Sequence, residues 1–299
     1  MPIAWAQSLR VSRGERQGLR DEHVTFNMNQ AWDEAIRTLK ANKELLLILA
    51  GLFFFVPALA LGIFRPETLT GPAGPDGQPS MEALIAFYNR NGGWMLLVQL
   101  IQSVGMLSIL ALFIRRRATV GESILAGLRA LLPLFIATFF VALVFSALGG
   151  MIVGFAAAAS QDLAVVLAVL VALVLLFVLA RLIPLMPLLV AERRFNPFSA
   201  LVDSWRLTAG AGWRILSFLA LILVAVIVIS LLVGGLVSLI TAFIASPAAA
   251  NFIAAALSGL LGAVVTCLIL AVIMAIYRQL TAPASAAGIP RTHADTPSE

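Results

Sequence analysis

Six unbroken apolar segments of 20 to 30 residues constrain the fold of this chain more than any other feature. A segment of this length can cross the roughly 30 Å hydrocarbon core of a bilayer as an α-helix. Transmembrane β-strands would show about ten residues of alternating polarity, and no such alternation is present. The sequence therefore predicts an all-α, polytopic membrane bundle with transmembrane helices at Leu45–Phe64, Trp94–Ile114, Leu131–Ala157, Leu163–Val190, Ile215–Ile244 and Phe252–Tyr277.

The composition argues against several classes of protein. Of the 299 residues, 61% are hydrophobic and only 12% are charged, whereas a soluble domain is nearer half apolar and a quarter charged. These fractions exclude a soluble enzyme and a disordered chain. The single cysteine, Cys267, lies within an apolar segment, so a secreted fold held by disulfides within the chain is excluded as well.

The distribution of polar residues predicts three regions. Residues 1–23 carry four arginines among polar neighbours and are expected to form a disordered basic tail. Residues 24–280 are expected to form one six-span membrane domain. Residues 281–299 are small, polar and contain proline, so they cannot bury enough apolar surface to fold and should form a second disordered tail.

Lysine and arginine are distributed unevenly between the segments that connect the spans. Alternate connecting segments contain 18 and 2 of these residues, and the loops of a membrane protein that are rich in positive charge face the cytoplasm. We therefore expect a multi-pass protein of the bacterial inner membrane with both termini in the cytoplasm. The net charge of +5 favours membrane lipids with anionic head groups as partners and gives no reason to expect nucleic acid.

The segments that precede the first, third and fifth spans share one design. Each is amphipathic with helical spacing, and shifts of 92 and then 77 residues align Arg37, Arg129 and Arg206. The pattern predicts three repeats of an interfacial amphipathic helix followed by a transmembrane hairpin. Two roles are open for these helices: contact with lipid head groups, or packing against the spans as elbows with no lipid role.

Capping signals predict where several helices begin. Thr119 and Glu122 form a capping-box pattern at the start of the second interfacial helix. Asn196 is expected to cap the third interfacial helix. On the opposite side of the membrane, Ser80 is expected to cap a short surface helix, Met81–Tyr88.

The segment Ile183–Ile215 is the most distinctive in the chain. An apolar helix ends in a proline-bearing stretch and an acidic residue, and a Ser-Trp-x-Leu-Thr-x-Gly-x-x-Trp-Arg-Ile element follows. The residues that form this pattern are Pro184, Pro187, Glu192-Arg193-Arg194, Ala200, Ser204-Trp205-Arg206-Leu207-Thr208, Gly210 and Trp213-Arg214-Ile215. The pattern resembles the signature of the glycerophosphoryl diester phosphodiesterase membrane-domain superfamily.

This resemblance covers about Phe26 to Arg278, and only the 183–215 element is specific. In the founding members of the superfamily the membrane region precedes a soluble phosphodiesterase barrel, which carries the chemistry. The resemblance here concerns the membrane region alone, without a phosphodiesterase barrel. It therefore implies a membrane fold and no assigned activity.

The residues that usually perform catalysis are not suitably placed in this sequence. No acidic residue lies deep in a span, and both histidines, His23 and His293, lie in the polar tails. No group of His, Cys, Asp or Glu has the spacing of metal ligands. Serines within the spans lack a His or Lys partner and are expected to pack between helices. We therefore expect no enzymatic activity, no metal and no cofactor.

Arginine and tryptophan side chains near the ends of the spans are the candidate lipid contacts. Arginines can reach lipid phosphates, and tryptophan favours the head-group layer because its ring is apolar and its N–H needs a partner. The candidates are Arg115, Arg116, Arg117, Arg181, Arg206, Arg214, Trp205 and Trp213.

Two of these candidates have alternative interpretations. Arg181 lies inside the fourth apolar segment, where it either extends to the head groups at the end of the span or contacts a phosphate or substrate at a helix broken by Pro184. Trp205 either lies in the head-group layer or packs between spans as part of the core. Replacing a buried aromatic residue by alanine would cost roughly 3–5 kcal/mol of stability.

These observations predict a non-catalytic, polytopic inner-membrane protein that contacts lipid or a membrane-protein partner. The alternative is a transporter or permease subunit for a small or lipid-like solute, although the spans contain no acid or base for ion coupling. The small-residue pairs Gly150–Gly154 and Ser258–Gly262 predict close contacts between helices.

Overall fold

The computed structural model describes residues 26–72, 80–114, 119–191 and 196–281, and the regular structure within these ranges is entirely helical, which confirms the predicted all-α fold. A π-helical turn, Gly51–Phe55, joins the second helix to the third without a break. The predicted tails lie outside the described residues, except for Thr281, which ends the last helix. The helices are α1 (Met28–Ala41), α2 (Lys43–Ala50), α3 (Val56–Phe64), α4 (Glu67–Thr70), α5 (Met81–Ile114), α6 (Val120–Ala159), α7 (Gln161–Arg181), α8 (Leu185–Ala191), α9 (Pro197–Leu207), α10 (Gly212–Ala242) and α11 (Pro247–Thr281).

Six of the described helical segments are long and apolar enough to cross a membrane, as the sequence predicted. The fifth span ends at Ala242 rather than at Ile244, and a turn at residues 182–184 interrupts the fourth span, which the sequence predicted as continuous; the other predicted spans lie within the observed segments. The fold is that of a multi-pass α-helical membrane protein. The spans are Lys43–Phe64, α5, α6, Gln161–Ala191, α10 and α11.

The predicted surface helix Met81–Tyr88 is not a separate element. Ser80 does cap it, because its Oγ accepts a hydrogen bond of 3.1 Å from the amide of Ala83. The helix nevertheless continues without interruption into the second span. Gly92 and Gly93 each lower the stability of the helix by only about 1 kcal/mol relative to alanine. This is too little to separate the two segments.

The second interfacial helix is likewise continuous with the third span. Its capping box is confirmed: the amide of Glu122 donates a hydrogen bond of 3.3 Å to Oγ1 of Thr119, and the amide of Thr119 donates one of 3.1 Å to the Glu122 carboxylate. The helix then runs through Pro133 without a break. Proline removes one backbone donor, and a membrane helix tolerates this where neighbouring structure satisfies the freed carbonyl.

The three repeats are visible in the caps and in the buried faces of the interfacial helices. Side chains of Asn27, Thr119 and Asn196, separated by 92 and 77 residues, each accept a hydrogen bond from an amide in the first turn of the helix that follows. The same shifts relate two buried small residues in each helix, one turn apart. These are Ala31 and Ala35, Ser123 and Gly127, and Ala200 and Ser204.

Each interfacial helix packs on the second span of the neighbouring repeat. The first part of α6 packs on α5, where a Cβ added at Gly127 would lie 2.5 Å from Oγ of Ser108. In the same way α9 packs on the fourth span through Ser204, and α1 packs on α11. The three contacts form a closed ring of repeats, because the last span packs on the first interfacial helix.

The core lies at one end of the bundle, where the interfacial helices surround the C-terminal parts of α5, the fourth span and α11. The buried residues cluster at Leu107–Phe113, at Leu185–Val190 and at Leu270–Ile276. We call this end, which also carries Arg181, Arg206, Arg214 and Arg278, the basic end. The opposite halves of α6, α7 and α10 leave many large apolar side chains exposed, as expected of surfaces that face lipid.

Glycines mediate close helix contacts, although not at the predicted pairs. No described atom lies within 4 Å of a Cβ added at either end of Gly150–Gly154. In α11 the contact is made by Gly259, inside the predicted Ser258–Gly262 pair, where an added Cβ would lie 3.3 Å from Cβ of Ala58 in α3. In α6 the contact is made by Gly149, where an added Cβ would lie 2.8 Å from Cγ1 of Val171 in α7, so in both helices the contacting glycine is one residue away from a member of the predicted pair.

Candidate functional site

Arg181, the last residue of α7, joins the fourth span to α9. Its Nη2 donates a hydrogen bond of 2.6 Å to the carbonyl oxygen of Trp205, and its Nε donates one of 3.1 Å to Oγ1 of Thr208. In the other direction, Oγ of Ser204 donates a hydrogen bond of 3.0 Å to the carbonyl oxygen of Arg181. Three hydrogen bonds of Arg181 thus connect the end of α7 to the C-terminal turn of α9.

Two aromatic rings adjoin the Arg181 guanidinium. Its central carbon lies 4.1 Å from the centroid of the Trp205 ring and 6.0 Å from that of Phe177, and the two rings meet edge to face. A guanidinium at such distances is attracted to the negative face of an aromatic ring. In the described part of the chain no carboxylate lies within 4.0 Å of this guanidinium, so carbonyl, hydroxyl and ring atoms hold the charge.

The sequence around α9 explains why this helix lies so close to the fourth span. Asn196 begins it as predicted, because its Oδ1 accepts a hydrogen bond of 3.1 Å from the amide of Phe198. Ala200 and Ser204 are small and almost completely buried, which lets the backbones approach. The last carbonyl groups of a helix have no partner within it, and Arg181 donates to one of them.

The chain turns directly from α9 into the fifth span. Gly210 has a φ of +83°, a left-handed conformation that glycine adopts without strain. Gly212 begins α10 against the arginine, since a Cβ added there would lie 3.6 Å from Cδ of Arg181. Gly210 therefore lies in the turn between the end of α9 at Leu207 and the start of the fifth span at Gly212.

The structure shows a third arrangement for Arg181 and Trp205 that the sequence did not suggest. The helix ends at Arg181 as expected, but the guanidinium bonds to α9 rather than extending freely away from the bundle. Trp205 is 41% exposed, so it is not a core residue, and its ring covers the arginine. Contact of either residue with a lipid phosphate stays a prediction.

The other described candidates lie on the surface of the same region. Arg206, Trp213 and Arg214 are exposed, and the Trp213 side chain is 72% exposed. Arg206 lies before the turn around Gly210, and Trp213 lies after it. The structure therefore brings five of the eight predicted lipid contacts into one surface, and the remaining three, Arg115, Arg116 and Arg117, lie outside the described residues.

One cavity adjoins this surface, and a second cavity shares part of its lining. The cavity at the surface, which we call the α9 cavity, has a volume of about 360 Å³ and lies between α6, α7 and α9; the other, the α8 cavity, has a volume of about 540 Å³ and lies between α6, the fourth span and α11. The α8 cavity is lined by apolar residues and by the hydroxyl groups of Thr138 and Ser146. Trp205 and Arg206 line the α9 cavity. The linings are mostly apolar, and Arg206 is the one charged residue that the described part of the chain contributes to them.

A second arginine closes the ring of repeats away from these cavities. Nη1 of Arg278 forms an ion pair of 3.0 Å with Glu34 of α1, and its Nη2 donates a hydrogen bond of 2.6 Å to the carbonyl oxygen of Phe113 in α5. The side chain of Gln279 exchanges two hydrogen bonds of 3.2 Å with the backbone of Asn27. These contacts fasten three helices together at the basic end.

Sequence reasoning missed Ser204, Thr208 and Arg278 as structural contacts. One signal was available for Ser204: the repeat places it at the position of Ala35 and Gly127, so a hydroxyl occurs there in the third repeat only. Because a buried hydroxyl group is normally hydrogen-bonded, a serine at a position that is otherwise alanine or glycine indicates a nearby hydrogen-bond partner. The partners of the other two residues depend on how distant helices pack, which no local pattern indicates.

Comparison with known proteins gives one result. Residues 29–280, most of the chain, match the family model described as Domain of unknown function (DUF7847). No curated protein and no solved structure matches the chain. The match includes every span and both arginine contacts described above, and the protein therefore belongs to the DUF7847 family.

Proposed function

We propose that this protein is a non-catalytic, multi-pass protein of the bacterial inner membrane that binds a phospholipid at its basic end. The observation that carries the proposal is the α9 cavity, which is apolar inside and has Trp205 and Arg206 in its lining. An acyl chain would lie in the cavity and the lipid phosphate at the arginine. Both termini would face the cytoplasm, because 18 of the 20 lysines and arginines lie in connecting segments on one side.

The charge of the surface supports an anionic head group. Arg206 and Arg214 are exposed on either side of the α9–α10 turn. Each basic residue near an anionic membrane surface contributes on the order of 1 kcal/mol of attraction. The exposed Trp213 ring would lie in the same head-group layer, where its apolar face and its polar N–H are both satisfied.

The size and lining of the cavities support a lipid rather than a polar substrate. Ligand-binding cavities usually measure about 300–1,000 Å³ and are mostly apolar with a few polar groups. Both cavities fall in this range, at about 540 and 360 Å³. The polar side chains of the linings at the basic end are the Trp205 indole and the Arg206 guanidinium, which suit the contact of an amphiphile at its head.

The same element supports a relation to the glycerophosphoryl diester phosphodiesterase membrane-domain superfamily, which we propose for the membrane region only. The residues of the resemblance are those that build the site: Pro184 follows the end of α7, Trp205 covers Arg181, and Gly210 forms the turn. The proposed role of this element is lipid binding, and no hydrolysis is proposed.

The proposal is tested by measuring the phospholipid that stays bound after purification in native nanodiscs. Replacing Arg206 and Arg214 by Gln removes about 2 kcal/mol of head-group attraction, so the anionic phospholipid retained per protein should fall by about tenfold or more. The matched control replaces Arg65 and Arg90, on the opposite side of the bundle, by Gln. Equal retention in both double variants would contradict a lipid site at the basic end.

A further inference from the structure

We infer that the ligand is a phospholipid with two acyl chains, one in the α8 cavity and the other in the α9 cavity. This inference rests on the proposed function, because it names the class of lipid that the same site would take. Its basis is the way in which α6 and α7 separate the two cavities.

One ridge of side chains forms the wall between the cavities. Val141 and Phe145 of α6 and Leu182 after α7 line both of them. Residues four positions apart on a helix form a continuous row, so Val141 and Phe145 present one ridge along α6. The cavities meet at this ridge.

The flanks of the ridge belong to different cavities. On α6, Thr138 and Ala142 line only the α8 cavity, whereas Phe140 and Val144 line only the α9 cavity. These two pairs are also rows of residues four apart, on either side of the ridge. The two cavities therefore lie on opposite sides of one row of apolar side chains.

The volumes are compatible with one acyl chain in each cavity. The α8 cavity measures about 540 Å³ and the α9 cavity about 360 Å³, and both lie in the roughly 300–1,000 Å³ range of ligand sites. Because the ridge separates the cavities, a single unbranched chain would occupy only one of them.

The ridge ends beside the cationic groups. Leu182 follows Arg181 in the chain, and Arg206 lines the α9 cavity. A glycerol backbone that spans the ridge at Leu182 would place its phosphate near Arg206, which lines the α9 cavity together with Leu182. The ligand class that fits is a diacyl glycerophospholipid with an anionic head group.

The experiment measures binding of two probes, a diacyl phosphatidylglycerol and the corresponding lysophosphatidylglycerol, to the full-length protein by native mass spectrometry. Ala142→Trp fills only the α8 cavity and Val144→Trp fills only the α9 cavity. Each variant should weaken diacyl binding at least tenfold. The single-chain probe should be weakened by only one of the two variants, because its one chain occupies only one of the two cavities.

Val169→Trp is the matched control, because Val169 is 55% exposed on α7 and lines neither cavity. If a cavity variant does not fold, Leu175→Trp replaces it for the α8 cavity and Val178→Trp for the α9 cavity. Diacyl binding that survives either filling, or equal weakening of both probes by both variants, would overturn the two-chain inference. A wild-type protein that binds neither probe would instead overturn the proposed function itself.

Discussion

Arg181 and Trp205 contact each other twice: the guanidinium carbon lies 4.1 Å from the centre of the indole ring, and Nη2 of the arginine donates a hydrogen bond of 2.6 Å to the tryptophan carbonyl oxygen. The ring attraction and the hydrogen bond both hold α9. This helix packs on the bundle through the buried residues Ala200 and Ser204, and its outer face is exposed. We conclude that Arg181 fixes the position of α9 over the α9 cavity.

Replacing Arg181 by Leu should therefore release α9. The change removes a charge-assisted hydrogen bond, worth about 1.5–3 kcal/mol, and a cation–π contact worth roughly 0.5–2 kcal/mol. We expect faster amide hydrogen exchange in residues 197–207 and a free energy of unfolding lower by about 2–4 kcal/mol. Lysine should not restore protection, because its ammonium cannot stack on the ring and donate in two directions as a guanidinium does.

Arg214→Gln is the control for this experiment, since Arg214 lies on the same surface and is exposed. Its exchange rates in α9 should match those of the unchanged protein. Unaltered protection of α9 in Arg181→Leu would show that the arginine does not position the helix.

The close approach of α6 to α5 predicts opposite effects for two glycine substitutions in one helix. Gly127→Ala should destabilise the protein by about 1–3 kcal/mol, because the added Cβ would lie 2.5 Å from Oγ of Ser108 and 2.9 Å from the carbonyl oxygen of Val104. Gly150→Ala should stabilise it by up to about 1 kcal/mol, since no described atom lies within 4 Å of the added Cβ and alanine favours the helix. Unfolding in mixed micelles measures both, and equal effects would contradict the packing described.

The contacts of Arg278 predict that substituting Arg278 and substituting its ion-pair partner Glu34 lower the free energy of unfolding by different amounts. The side chains are 40% and 25% exposed, and an ion pair that solvent reaches contributes about 0–1 kcal/mol, so Glu34→Gln should lower the free energy of unfolding by no more than that. Arg278→Met should cost more, about 1–3 kcal/mol, because the carbonyl of Phe113 also loses its donor. A larger loss from Glu34→Gln would show that the ion pair dominates.

The proposed orientation predicts the compartment of each connecting segment. A reporter fused after Arg194 should be active in the cytoplasm, and one inserted at Gly74 should be active outside, because positive charge favours the cytoplasmic side. Each fusion is the control for the other, because the two lie in segments expected on opposite sides of the membrane. Reversed activities would contradict the orientation and would place the lipid site on the outer side.

The features that the sequence predicted are those with local causes. The spans follow from apolar length, and the starts of α6 and α9 follow from Thr119 and Asn196, whose capping bonds lie within one helical turn. The repeat could be predicted for the same reason, because its shifts preserve the caps and the buried small residues. Helix continuity was predicted wrongly at Met81–Tyr88 and at the start of α6, where the surface helix and the interfacial helix each continue into a span.

The site could be predicted only in part. Arginine and tryptophan in one short element indicated a surface near lipid, and the structure places five of them together. The partner of Arg181 lies 27 residues away, at Thr208, and depends on how α9 packs against the fourth span. The cavities arise from gaps between apolar side chains of five helices, and hydrophobic periodicity does not show such gaps.

The most direct test of lipid binding at the basic end uses a diacyl phosphatidylglycerol with a photoreactive group in one acyl chain. After illumination in nanodiscs, peptide mapping by mass spectrometry identifies the residues that carry the lipid. We predict adducts on the cavity linings, within residues 138–146 of α6 and 171–186 of the fourth span, and their loss when unlabelled phosphatidylglycerol competes. Adducts spread over the exposed faces of α7 and α10, without competition, would contradict a lipid site in this protein.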